Sequence, residues 1–278
     1  MNLSCDRMAQ TGESFVDKNI RTWGTMQKVL DSGEHCPTHL SARKPGPDAA
    51  THRRPSMELA NGMNVAQAID PDKKSRKASK ETRQQQLIEA TIDSLAKRGY
   101  SDTTLANVAD GAQLSRGIVN FHFESKEKLL VATLQYMADE YAGHWSAALE
   151  KATKSAAARI WALVNADFDR KICTRRKLAA WCAFWGEAKS RPTYQALCGA
   201  SDLNYQKTFV VLCTELKAEG GYAYEPEPMA LGICAMMEGL WFRLMMNDGL
   251  TREKALSAAI EYVAAVFPKH ISTDGVRR

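Results

Sequence analysis

The chain has 278 residues, 45% hydrophobic and 25% charged, with a formal net charge of +5. That is the composition of a globular protein with one large domain or two small ones, and seven scattered cysteines exclude a dense disulfide framework. The mild positive charge permits nucleic-acid binding without requiring it, so the placement of the basic residues decides.

Residues 1–75 differ from the rest. Pro37, Pro45, Pro47, Pro55 and Pro71 fall here with Gly12, Gly24, Gly33, Gly46 and Gly62, and hydrophobic periodicity is not sustained. The expectation is a disordered extension, or a gene start placed too early, with Met57 and Met63 as internal alternatives. Asp6 and Arg7 interrupt any secretory signal, and a cytoplasmic protein is expected. Cys36 and His39 have metal-like spacing, but no second ligand pair follows, so no metal is expected. A basic arm of Lys73, Lys74, Arg76, Lys77, Lys80 and Arg83 comes next. It reads either as a solvated linker or as a phosphate or minor-groove contact.

Helix one is expected over about Glu81–Arg98, with Ile88, Ile92 and Leu95 as its inner stripe and Gly99 as its stop. Two short helices come after it, near Thr104–Ala112 and Arg116–Phe121. Leu105, Val108, Ala109 and Ala112 fall at i, i+3, i+4 and i+7, giving the first an apolar face. Ser115 is placed to cap the second. Arg116, Gly117, Asn120 and His122 then lie on its outward surface, where Arg can pair with guanine and Asn with adenine in a major groove.

Helix four starts after Ser125 and continues to about Lys151. Further helices are expected over Ser155–Ile172, Arg175–Ser190, Pro192–Ala200, Asp202–Ala218, Glu227–Asn247 and Thr251–Phe267. No strand alternation is found, so the fold class is all-α: a three-helix head on a larger helical body. Cys173, Cys182, Cys198, Cys213 and Cys234 lie in apolar helical surroundings and read as buried thiols in a reducing compartment. Met229–Met246 is the most membrane-like segment. Glu238 and Arg243 interrupt it, so a buried helix rather than a membrane span is expected.

Trp181 and Trp185, at i and i+4, share one helix face, and Trp161 and Trp241 lie on other helices that can converge with them. Such faces attract a cation lacking hydrogen-bond donors, with Glu187, Glu238, Asp167 or Asp169 as compensating charge. Ordinary core packing is the competing reading of the same tryptophans. Near the C-terminus, Ala230, Gly232, Ala235, Met236, Gly239 and Leu240 form a surface of small residues and methionine. Ala255, Ala258, Ala259, Tyr262, Val263 and Val266 form a matching stripe.

The segment Thr103–Ala109, followed by Leu114-Ser115-Arg116-Gly117-Ile118-Val119-Asn120-Phe121-His122-Phe123 and Ser125-Lys126, resembles the DNA-binding domain of the TetR family of transcriptional regulators. Gln113 stands where that family usually has Gly, and a left-handed backbone there costs a non-Gly residue roughly 1–2 kcal/mol. Asn120 stands where the family often has Tyr. Ala180-Trp181-Cys182-Ala183-Phe184-Trp185 with Arg191-Pro192-Thr193-Tyr194, and Glu238-Gly239-Leu240-Trp241-Phe242-Arg243, resemble the effector domain of BetI-type members, which usually carry Asp where Glu238 stands.

The resemblance implies a helix-turn-helix domain at 76–126, an effector-binding and dimerisation domain at 127–270 and a C-terminal tail at 271–278. It implies DNA contacts from Thr104, Ser115, Arg116, Gly117, Asn120, Phe121, His122 and Lys126. It also implies a homodimer on a palindromic double-stranded operator, repressing glycine betaine synthesis genes until choline or betaine aldehyde binds. Trp161, Trp181, Trp185, Glu238 and Trp241 are the candidate effector residues. A regulator of another pathway with a different effector is the alternative, and an activator or architectural DNA-binding protein a further one. An enzyme acting on a small amine is the least favoured alternative and is not expected, nor is a cofactor, since no Gly-rich phosphate loop, metal-ligand cluster or nucleophile elbow appears and the histidines do not pair with triad partners.

Overall fold

The computed structural model of the protein describes residues 71–277, with side chains from residue 79 onward. Helix α1 (Pro71–Arg98) begins on a proline, whose fixed φ suits a first turn, and stops at Gly99, where φ is 77°. It starts ten residues before the expected Glu81, so the basic arm is helical and residues 71–75 belong to this helix rather than to the extension. The rest of the expected extension, including Cys36 and His39, lies outside the described residues.

Ser or Thr side chains open most of the later helices. Thr104, Ser115, Ser125, Ser155 and Thr174 each accept a hydrogen bond from the backbone N–H three residues on. They start α2 (Leu105–Gly111), α3 (Arg116–His122), α4 (Lys126–Lys151), α5 (Ala156–Asp167) and α6 (Arg175–Ala188). Prolines instead open α7 (Pro192–Gly220) and α8 (Pro226–Met246). Thr251 caps α9 (Arg252–Val266) in the same way as the earlier hydroxyls.

Three boundaries differ from expectation. Pro192–Ala200 and Asp202–Ala218 form one helix, because Tyr194, Cys198, Ser201, Tyr205 and Phe209 make a continuous buried stripe that carries the chain through Gly199 and Ser201. Helix α5 ends at Asp167 rather than Ile172. The expected C-terminal tail is an antiparallel hairpin of β1 (Ile271–Ser272) and β2 (Gly275–Val276), anchored by fully buried Ile271. The architecture is otherwise helical, as expected.

Two apolar clusters organise these elements. The head cluster joins Leu87 and Ala90 of α1 to Val108, Ala109, Val119, Phe123 and Leu129. The body cluster takes Ile92 and Leu95 from the same α1 and runs through α4 to α9. Thus α1 is shared, and its position fixes the head relative to the body.

Helix α8 is long and apolar enough by length and composition to cross a membrane, yet it packs as a two-faced helix. Ala230, Ile233, Cys234, Met237, Trp241 and Leu244 are buried, while Leu231, Ala235, Phe242 and Met246 are exposed. The expectation of a buried helix therefore holds for one face only.

Candidate DNA-reading surface and effector cavity

The turn between α2 and α3 sets the angle at which α3 leaves the head. Gln113 has φ 56°, the left-handed conformation expected of it, and Leu114 N donates to Ala109 O at 2.9 Å. Val119 faces inward, whereas Arg116, Gly117, Asn120 and Phe121 are exposed, Phe121 by 76%. Thr104 and Ser115 are exposed at the helix starts, with side chains already accepting from Asn107 N and Ile118 N. The preceding turn is held by Ser94 and Thr103, whose hydroxyls lie 3.1 Å apart, and by Thr103 Oγ1 donating to Gly99 O at 2.7 Å.

His122 ends α3 half-buried, with its edge against Phe121 and its Nδ1 buried without a partner. Burial lowers its pKa, and the nearby positive charges of Lys80 and Arg83 add to the effect. The end of the basic arm therefore stands beside the C-terminal end of α3. Lys126 differs from a free surface cation. Its Nζ donates to Tyr100 O and Ser101 O at 3.3 Å and lies 5.4 Å from the Tyr100 ring centre, so it braces the loop before α2.

The second site is a cavity in the body. Helix α6 supplies Trp181 and Trp185, stacked with ring centres 6.0 Å apart. Helix α4 supplies Tyr141, α7 supplies Tyr205, and α8 supplies Trp241, which meets Tyr141 edge-on at 5.5 Å. Asp167, the last residue of α5, closes the base with 2% exposure. Its Oδ1 accepts from Tyr141 and Tyr205, each at 2.9 Å, while Trp241 Nε1 donates to the Asp167 carbonyl at 3.1 Å.

Burial pushes the Asp167 carboxyl up to about 7 against the two tyrosine hydrogen bonds, and the charge of Glu238 adds to the rise. Asp202 is pushed to about 6, by partial burial and then by Glu238, and burial also raises Glu238. Both of these retain solvent contact at the mouth, so Asp167 dominates the electrostatics of the interior. No Lys, Arg or His is among the lining residues.

Trp161, expected at this site, does not line it. It sits half-buried on α5, packed against the body core, because α5 turns Asp167 rather than Trp161 toward the cavity. Of the other proposed acids, Glu187 pairs with Arg191 at 3.1 Å, and Asp169 Oδ1 accepts from Lys171 N at 2.8 Å. Tyr141, Tyr205 and Asp202 join the site without belonging to any motif. Their only sequence signal is a polar or aromatic residue on an otherwise apolar helical stripe.

The small-residue stripes of α8 and α9 divide between the subunit's own packing and an outward face. Ala230, Ala255, Ala259 and Val263 are fully buried within the subunit and serve its own packing. The outward face includes Leu231, Ala235, Gly239, Phe242 and Met246 on α8, of which Leu231 and Ala235 also line the cavity, and Ala258, Tyr262 and Ala265 on α9. Tyr262 Oη stands close over Gly232, 3.5 Å from where a β-carbon would be.

Comparison with known proteins places both halves. Residues 87–133 match the bacterial regulatory proteins of the tetR family, and residues 156–268 match the BetI-type transcriptional repressor C-terminal domain. The HTH-type transcriptional regulator BetI of Paraburkholderia phymatum is 33% identical over 188 residues, covering 66% of this chain and 92% of its own. The regulator of the same name from Burkholderia thailandensis is 34% identical over 188 residues, covering 66% and 93%. A transcriptional regulator structure from Pseudomonas aeruginosa superposes with a TM-score of 0.59 at 25% identity, covering 68% of this chain and 91% of its own. One from Saccharomonospora viridis, solved in complex with choline, superposes with a TM-score of 0.59 at 18% identity, covering 71% and 100%, a likeness of fold. With a tetR-type DNA-binding region followed by a BetI-type C-terminal domain, the chain belongs to the TetR family of bacterial transcriptional regulators and to its BetI-type branch.

Proposed function

We propose that the protein is a cytoplasmic repressor that binds a palindromic operator as a dimer and is released by a small quaternary ammonium cation, choline or betaine aldehyde. The observation that carries the effector reading is the cavity itself: aromatic faces of Trp181, Trp185, Tyr141 and Trp241 around buried Asp167, with no lining cation. A trimethylammonium group has no N–H to satisfy, so aromatic faces suit it, each good contact contributing about 0.5–2 kcal/mol. Primary amines of similar size must shed a tighter hydration shell to enter the same place. Asp167 supplies the opposite charge once ionised.

DNA binding is assigned to residues 76–126 and effector binding and dimerisation to 127–270. In this reading Arg116, Asn120 and Phe121, exposed on α3, meet base edges. Thr104, Ser115, Gly117 and His122 border the phosphates, and Lys126 supports them from behind. Two copies joined through the outward faces of α8 and α9 would carry their α3 helices about 34–36 Å apart, one turn of DNA. A cation that binds one head spacing better than the other shifts the equilibrium by that difference in affinity.

Asp202 and Glu238 at the mouth favour a second reading, in which the effector carries a further positive or hydrogen-bond-donating group. Calorimetric titration with choline, dimethylaminoethanol, ethanolamine and a short diamine, each followed by operator release in a mobility shift, separates the two. Choline should bind best and be recovered unchanged. Heat from the diamine alone transfers the site to the second reading, and no heat from any removes the quaternary amine assignment.

A further inference from the structure

Helix α6 carries both stacked cavity indoles, and it is fastened to the DNA-binding head at its two ends. At its start, Arg176 donates from Nη2 to Glu89 Oε2 at 2.5 Å and from Nη1 to Asp93 Oδ1 at 2.9 Å, both on α1. Glu89 also accepts from Tyr136 Oη at 3.4 Å, and Tyr136 lies on α4, the helix that supplies Tyr141 to the cavity. Just beyond the other end, the Arg191 guanidinium lies 5.0 Å from the Tyr100 ring centre and 3.3 Å from Glu127, with Nε on Glu187 of α6 itself. Tyr100 in turn shares a hydroxyl hydrogen bond of 2.9 Å with Tyr194. The neighbouring Lys177 binds Glu140 and the Lys171 carbonyl instead, and so anchors α6 within the body.

We propose that Arg176 and Arg191 are positioning residues that transmit the state of the cavity directly through α6 to α1 and the loop following it. The proposal builds on the repressor reading for its DNA partner, but it does not depend on the identity of the effector. Because Arg176, Glu89 and Asp93 keep substantial solvent contact, the clamp contributes little to stability and can be altered without unfolding the protein. What it contributes is geometry. Trp181 and Trp185 lie between the two fastenings on one rigid helix, so a shift of either indole must displace a fastening or bend the helix.

Coupling is reciprocal, so operator binding must be felt in the cavity even with no effector present. The experiment uses the full chain and an operator selected from random duplexes, with tryptophan emission followed as operator is added. Wild type should change its emission. The variant Arg176→Gln/Arg191→Gln should lose at least five-sixths of that change while its operator Kd stays within about threefold. The variant Glu89→Gln/Asp93→Asn, altered from the other side, should lose part of it. An undiminished change in the arginine variant, or none in wild type, overturns the proposal. So does a tenfold loss of operator affinity in a variant that melts like wild type, since it would assign the arginines to DNA binding itself. Choline added afterwards tests the effector reading separately.

Discussion

Tyr205 on α7 donates its hydroxyl to Asp167 at the end of α5, 2.9 Å away, in a position almost closed to water. Two tyrosines on one carboxylate oxygen stabilise the charged form, yet burial outweighs them and the proton is held up to about 7. The cavity base is therefore balanced between a neutral acid and an anion near neutral pH.

An unfolded Asp loses its proton near ~3.9. Between there and about 7 the native state holds a proton that the unfolded state has lost, so this group's contribution to stability falls as pH rises through that window. Asp167→Asn keeps an acceptor for the tyrosines but no titration. Its melting temperature should decline less than wild type between pH 4.5 and 8, and it should be the more stable protein at pH 8 by on the order of 1–3 kcal/mol. Choline affinity should rise from pH 6 to 8 in wild type, with proton release on binding, and be lost in the variant. Parallel melting curves would place the proton elsewhere.

Gln113 holds strain that a glycine would relieve. Its φ of 56° places a β-carbon in the left-handed region, and its side chain is exposed. Gln113→Gly should raise head stability by about 1 kcal/mol, the strain relieved less the added backbone entropy of glycine. Thermal melts of the two proteins with and without operator check this. A lower melting temperature for the glycine variant would mean that the side chain has a role beyond the turn.

On the recognition helix and around it the residues separate by role. Arg116→Ala should weaken operator binding by about 1–3 kcal/mol and relax base preference. Lys80→Ala, beside the end of α3, should weaken all sequences alike and reduce the salt slope by about 0.9. Lys126→Ala should lower the melting temperature, because its ammonium ties down the Tyr100 and Ser101 carbonyls. Mobility shifts on selected and scrambled duplexes across salt concentrations distinguish the three.

Local chemistry in the sequence marks most of the elements. Ser115 before α3 and Gly99 after α1 act within one turn of themselves, so their roles need no knowledge of the fold. The same holds for Trp181 and Trp185, neighbours on one helix. The features that sequence reasoning misses are those set by distant packing. Nothing near Gly199 or Ser201 says that the helix continues, because the stripe from Tyr194 to Phe209 is satisfied only by other helices. Nor does spacing distinguish Trp161, which is not among the cavity's lining residues, from Tyr141 and Tyr205, which meet at Asp167 from separate helices. Arg176 reads as one basic residue among several, since Glu89 and Asp93 lie more than eighty positions earlier.

The outward face of α8 leaves large apolar side chains uncovered. Leu231, Phe242 and Met246 are 55%, 52% and 67% exposed along one stripe, and Tyr262 on α9 stands beside it. Apolar exposure of this kind marks an interaction surface, and the proposed dimer covers it with a second copy. Phe242 does not line the cavity, so Phe242→Glu disturbs the outward face and leaves the effector site its own residues. A carboxylate forced into an apolar interface should weaken the dimer by about 3 kcal/mol or more, roughly a hundredfold in Kd. Light scattering at micromolar concentration should then report a folded monomer. Its operator affinity should drop steeply, because one head can hold only one half-site. Leu203→Glu, equally exposed but on α7 rather than on α8 or α9, should remain a dimer. If Phe242→Glu also remains a dimer, the two copies join through some other surface, and the head spacing must be derived again from that one.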